Sequence, residues 1–158
     1  MSHVVVVDDD GVRSPLPRRR VAEIARAVLR AEASRPVRLS ITFVNNRRIA
    51  ALNRRHLRHR GSTDVISFAL APDVGSAPLI GDIYVAPEVA RRNAVAQGIS
   101  FTEEVTRLVV HGVLHVLGFD HPEGKERGTS PMWQRQEQLV ASLRRSNTGK
   151  RRRARTAA

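Results

Sequence analysis

HGVLHVLGFDH, running from His111 to His121, decides how the rest of the chain is read. His111 and His115 stand four residues apart within an apolar run. On a helix rising about 1.5 Å per residue, that spacing puts both imidazoles on one face, one turn apart. Gly118 follows, where a chain leaving a helix often needs the left-handed conformation that glycine adopts at little cost, and the resulting turn returns His121 toward the first two rings. Three neutral nitrogen donors would then face one cation. With the fourth position left to water, this is how catalytic zinc is usually held, as opposed to closed structural zinc.

The spacing HxxxHxxGxxH is that of a zinc-peptidase signature, HExxHxxGxxH, except at one position. The peptidase glutamate takes a proton from zinc-bound water, and Gly112 stands in its place with no side chain to do so. Two histidines at this spacing can arise by chance as core or surface residues. Three with an intervening glycine, in a chain whose other histidines are His3, His56 and His59, read as a metal site. Asp120 has two readings: a partner orienting a ligand ring, or a turn residue bonding its own backbone. From Leu108 to Leu117 nearly every residue other than the histidines and Gly112 is apolar. A helix apolar most of the way round is buried, so this one is expected at the centre of the fold.

At 158 residues the chain fits a single domain with a short tail. The absence of cysteine excludes disulfides and thiolate metal sites and fits a reducing compartment. No stretch approaches the roughly twenty apolar residues of a membrane helix, and the N-terminal MSHVVVVDDDG does not read as a cleavable signal. A soluble, cytoplasmic protein with no membrane partner is expected. Basic residues outnumber acidic ones 27 to 15, giving a net charge of +12. From Arg144 to Ala158 there are Arg144, Arg145, Lys150, Arg151, Arg152, Arg153 and Arg155 and no acidic residue. Such a tail binds polyanions without specificity, and nucleic acid is the partner this balance favours. The domain is therefore drawn as 1–146, with 147–158 a basic, disordered extension.

Along the chain, residues 3–7 read as a strand. A helix follows over 18–33, on which Val21, Ile24, Ala25, Val28 and Leu29 recur at helical spacing. Residues 37–44 alternate as a half-buried strand. Asn45 or Asn46 is placed to cap a helix reaching about Leu57. Strands over 64–70 and 79–85 are placed to pair as a hairpin. Pro87 opens a helix that Gly98 ends, Ser100 or Thr102 caps the histidine helix over 102–117, and a last helix carrying Met132, Trp133, Leu139 and Leu143 fades near Ser146. Met132 and Trp133 read as packing residues.

Three stretches, TDVISF at 63–68, GDIYVAPE at 81–88 and HGVLHVLGFDH at 111–121, resemble the YbeY family of bacterial endoribonucleases, also described as rRNA maturation factors. Their order and spacing match across nearly all of residues 3–143. The resemblance implies an α+β fold: one domain with a small, mixed, four-stranded sheet, surrounding helices and a central metal-binding helix. It implies one zinc ion per chain on His111, His115 and His121. The implied activity is metal-dependent cleavage of single-stranded RNA in 16S rRNA 3' end maturation and ribosome quality control, with the small ribosomal subunit and its assembly factors as partners. Where many members carry an arginine ahead of the TDVISF stretch, this chain has Leu57, with Arg58 and Arg60 close by, and Ser62 replaces a frequent proline.

Zinc on three imidazoles lowers the pKa of its water to about 7 and needs no carboxylate base. The alternative is attack by the RNA's own 2' hydroxyl on a metal-polarised phosphate. Either way charge grows on the phosphate, and Arg54, Arg58 and Arg60 are the residues expected to hold it. The rival readings are a metzincin-like zinc hydrolase or peptidase and a non-catalytic ribosome-assembly factor with structural zinc.

Overall fold

A computed structural model describes residues 1–57, 63–70, 77–120 and 128–157, without the side chains of His56 and Leu57. Four strands form one sheet: β1 (Val4–Asp10), β2 (Val37–Val44), β3 (Val65–Leu70) and β4 (Leu79–Val85). Their order is β1-β2-β4-β3, with β1, β2 and β4 parallel and β3 antiparallel to β4. The fold is therefore α+β with a mixed sheet, and the expected β3–β4 hairpin pairing is present. Five helices accompany it: α1 (Arg18–Glu32), α2 (Asn46–Leu52), α3 (Pro87–Gln97), α4 (Phe101–Val116) and α5 (Pro131–Thr156). A π-helical turn, Asn53–Leu57, continues α2.

The period-two pattern of β2 buries Val37, Leu39, Ile41 and Phe43 on one face, where they meet Val21, Ile24, Val28 and Leu29 of α1 and the apolar flank of α4. Each such side chain contributes about 1.5–3 kcal/mol by leaving water. The opposite face has a smaller cluster of Val44, Ile49, Leu52, Ile66 and Ala86 under α2. Helix α4 touches α1, α3, α5, β3 and β4, the central place expected of it.

The ends of β1 and α5 differ from the sequence reading, and each expected pair of capping candidates resolves to one residue. Strand β1 runs on through Asp8, Asp9 and Asp10, because its parallel register with β2 pairs these residues with Thr42, Phe43 and Val44. Pairing to a long partner strand overrides the low strand preference of aspartate. Asn45 caps α2, its Oδ1 accepting from the Arg48 N–H at 2.8 Å, and Ser100 caps α4, its Oγ accepting from the Glu103 N–H at 3.1 Å. Helix α5 continues to Thr156, past the Ser146 at which its apolar pattern stops. Beyond Asn147 every described residue of α5 is exposed, so this extension adds nothing to the core. Among the described residues no helix is long and apolar enough to cross a membrane.

Candidate metal centre

Helix α4 meets β4 through two reciprocal close contacts. A Cβ on Gly112 would stand 2.9 Å from Cγ2 of Ile83, and a Cβ on Gly81 would stand 2.4 Å from Cγ1 of Val116. Each glycine thus receives a branched side chain from the other element. Helix and strand run in opposite senses, and the rotation of α4 about its axis is fixed by both contacts. Gly112 is glycine because the sheet fills its space. The peptidase glutamate is missing for that reason, and its position faces β4 instead of the histidines' side of the helix.

With α4 so rotated, His111 and His115 lie side by side, ring centroids 4.5 Å apart and planes at 78°. His111 is buried and His115 half-buried. The His111 Nδ1–H donates to Oε1 of Gln136 on α5 at 2.8 Å, which fixes the tautomer whose Nε2 carries the lone pair. Gln136 is itself only 3 % exposed. Its amide Nε2 donates to Glu137 Oε1 at 3.5 Å, and Glu137 takes two bonds of 3.0 Å from Nε and Nη2 of Arg107 on α4. Arg107 also pairs with Glu103 at 3.5 Å, and Arg144 reaches that same Glu103. This chain of polar groups ties α5 to α4 and holds Gln136 against the histidine ring.

The sequence reading missed Gln136. The signal was present: Met132, Gln136, Leu139 and Val140 form the buried stripe of α5, and an amide on such a stripe requires a partner. Replacing Gln136 by Leu is expected to lower zinc affinity about 10- to 100-fold, the usual cost of losing a partner that orients a ligand. Glu, which keeps the acceptor, is expected to restore most of it. Zinc affinity of Gln136→Leu equal to wild type, in competition with a chelator, would remove this role.

At the end of α4 the Gly118 N–H bonds the His115 carbonyl and the Phe119 N–H bonds the Leu114 carbonyl, both at 3.0 Å, with Gly118 at φ 97°. This turn is the left-handed helix ending expected from the sequence. No atom lies within 4 Å of a Gly118 Cβ, so conformation alone requires glycine there. Asp120 is exposed just beyond it. His121, Arg58 and Arg60 lie outside the described residues. Arg54 is exposed in the π-helical turn. Among the described residues no group of three or more His, Cys, Asp or Glu is gathered to hold a metal. His111 and His115 do suit zinc chemically: adjacent imidazoles, one with its outer nitrogen anchored. Met132 is 2 % exposed in the main core and Trp133 half-buried, in keeping with a packing role.

Two turns before His111 on α4, Glu104 is only 5 % exposed, and its Oε2 has no hydrogen-bond partner among the described residues. Burial first, then the charge of Asp64, raises its pKa above the usual 4.5, with Arg107 opposing and Glu137 adding to the rise. A raised folded value means that Glu104 supports the fold fully below its unfolded pKa and loses that contribution as pH climbs through the folded one. Glu104→Gln, neutral throughout, is therefore expected to raise the thermal midpoint near pH 7.5 and change it little near pH 4. Each kcal/mol recovered corresponds to roughly 2–4 °C. An equal shift at both pH values would contradict a titrating buried carboxyl.

The family model described as "Endoribonuclease YbeY" matches residues 8–144. The chain belongs to the YbeY endoribonuclease family. Endoribonuclease YbeY of Frankia casuarinae is 37% identical over 150 residues, covering 88% of this chain and 73% of that protein. Endoribonuclease YbeY of Thermobifida fusca is 37% identical over 149 residues, covering 89% and 94%. The solution structure of a Thermotoga maritima protein superposes with a TM-score of 0.62 at 26% identity, over 91% of this chain and 93% of that one. The YbeY match runs from within β1 into α5 and ends at Arg144, ahead of the basic stretch from Lys150 to Arg155.

Proposed function

We propose that this chain is a zinc-dependent endoribonuclease that cleaves single-stranded RNA during maturation of the 16S rRNA 3' end, in the cytoplasm and on small-subunit particles. The observation that supports this most directly is the pair of adjacent imidazoles at His111 and His115, one anchored through Gln136, within a chain of the YbeY family. In this reading His111, His115 and His121 hold one zinc ion, which supplies Lewis acidity toward water or a phosphoryl oxygen. Gln136 keeps the His111 proton on Nδ1. Arg54, Arg58 and Arg60, at and after the π-helical turn, take up the charge that grows on the scissile phosphate. A peptidase is disfavoured because Ile83 leaves no room for a carboxylate at position 112. The domain is taken as 1–146, with 147–158 as a basic arm on RNA.

The test is an assay of purified protein on single-stranded RNA and on casein, with and without chelator, beside its zinc content. RNA cleavage abolished by chelation, one zinc per chain and intact casein are expected. Casein cleavage, or RNA cleavage indifferent to chelation, would reject the reading. Removing 147–158 is expected to weaken RNA binding and flatten its salt dependence while zinc stays bound. Unchanged binding would rule out the arm.

A further inference from the structure

A cavity of about 620 Å³ opens at the carboxyl ends of the parallel strands, between the start of α1, the first turn of α3 and the first residue of α4. We propose that it is a nucleotide-binding site, separate from the histidines, in which Arg13 and Arg91 grip the phosphate and the base lies on the Arg91–Phe101 stack. Phe101 opens α4 and His111 stands ten residues on, about 15 Å along the helix, so the two sites do not share a ligand atom.

Three guanidinium groups, Arg13, Arg18 and Arg91, line this cavity against one carboxylate, Asp9. Arg18 is already committed to Asp9, at 3.2 Å. Arg13 and Arg91 make no ion pair among the described residues, which leaves two forked donors of the kind that suits phosphate oxygens. The first turn of α1, on the same wall, has neither an acidic residue nor a side-chain cap. Its positive end thus adds to the guanidinium charge.

A bare anion would leave the rest of the wall without a purpose. The Arg91 guanidinium carbon stands 4.2 Å over the centroid of the Phe101 ring, which anchors the cation on the aromatic face. Arg91 is exposed and lines the cavity, and guanidinium planes and aromatic rings are the surfaces on which bases stack. The loop opposite is rigid: Pro15 and Pro17 bracket Leu16, and the Ser14 hydroxyl donates to the Leu16 carbonyl. Volume agrees as well, since small-molecule sites run from about 300 to 1,000 Å³. The place, outside the carboxyl ends of parallel strands, is where open α/β sheets hold their ligands, an analogy of position only.

Nucleotides reach such a site from two sources, as free mononucleotides or within an RNA strand. Calorimetric titration of the full chain with AMP, adenosine and inorganic phosphate tests the site. Running the His115→Ala protein in parallel keeps this result separate from the fate of the zinc reading. Saturable AMP binding is expected in both proteins, with adenosine and phosphate each at least about tenfold weaker. Arg13→Glu and Arg91→Glu should each weaken AMP by about 10- to 100-fold, the range of a charge-assisted bond, with zinc content and thermal midpoint unchanged. Competition from a short single-stranded RNA without terminal phosphates, itself sensitive to Arg91→Glu, would assign the site to the RNA strand. Failure of that RNA to compete would assign it to free nucleotide. No saturable AMP binding, or AMP affinity indifferent to both substitutions, overturns the proposal.

Discussion

Replacing Gly112 by glutamate, which restores the peptidase signature letter for letter, is expected to unfold the chain without producing a peptidase. The added Cβ already falls 2.9 Å from Ile83 Cγ2 and 3.1 Å from its Cδ1, and Ile83 is fully buried in the sheet. Overpacking of this kind costs about 1–3 kcal/mol. An ionised carboxylate buried there without a partner adds several more. Together these approach the whole stability of an ordinary domain, about 5–15 kcal/mol. Gly112→Ala is the informative milder change. Alanine gains about 1 kcal/mol of helix propensity but meets the same isoleucine, and a net loss of up to about 2 kcal/mol is expected. Urea unfolding of Gly112→Ala, Ile83→Ala and the double variant measures the coupling directly. If the contact is as described, alanine at 112 becomes stabilising once Ile83 is shortened. A Gly112→Ala chain more stable than wild type on its own would show that α4 and β4 are not in this close contact.

His115→Ala should have the largest effect on activity and little on stability. RNA cleavage is expected to fall by about 10³-fold or more, roughly 4 kcal/mol of transition-state stabilisation, as zinc occupancy falls. The side chain is half-buried at the end of α4 and alanine is the better helix former, so circular dichroism and the unfolding midpoint should change little. Activity within tenfold of wild type at full zinc occupancy would remove His115 from the centre. General unfolding would favour the structural-zinc reading over the enzyme.

The sequence carried the elements wherever burial is periodic. Strand β2 and helix α1 were legible because Val37, Leu39, Ile41 and Phe43 alternate and Val21, Ile24, Val28 and Leu29 recur. The placement of α4 at the centre followed from an apolar run with too little polar surface to face water. What escaped was set by partners far away in the chain. Asp8 to Asp10 are strand only because β2 is long enough to pair with them, and Gln136 meets His111 only because α5 crosses α4 at that level. Gly112 read as an absent base. Its physical reason, Ile83 of β4, lies 29 positions earlier and is invisible to any spacing rule.

The paired notches between α4 and β4 work like the two cuts of a key, admitting the helix at a single angular setting. Each residue along α4 turns the helix by about 100°, so seating it one residue out of step would swing both imidazoles off target. In the proposed zinc reading the aim of His111 and His115 is therefore inherited from the sheet, and drift at one notch is tolerable only when its mate across the seam changes with it.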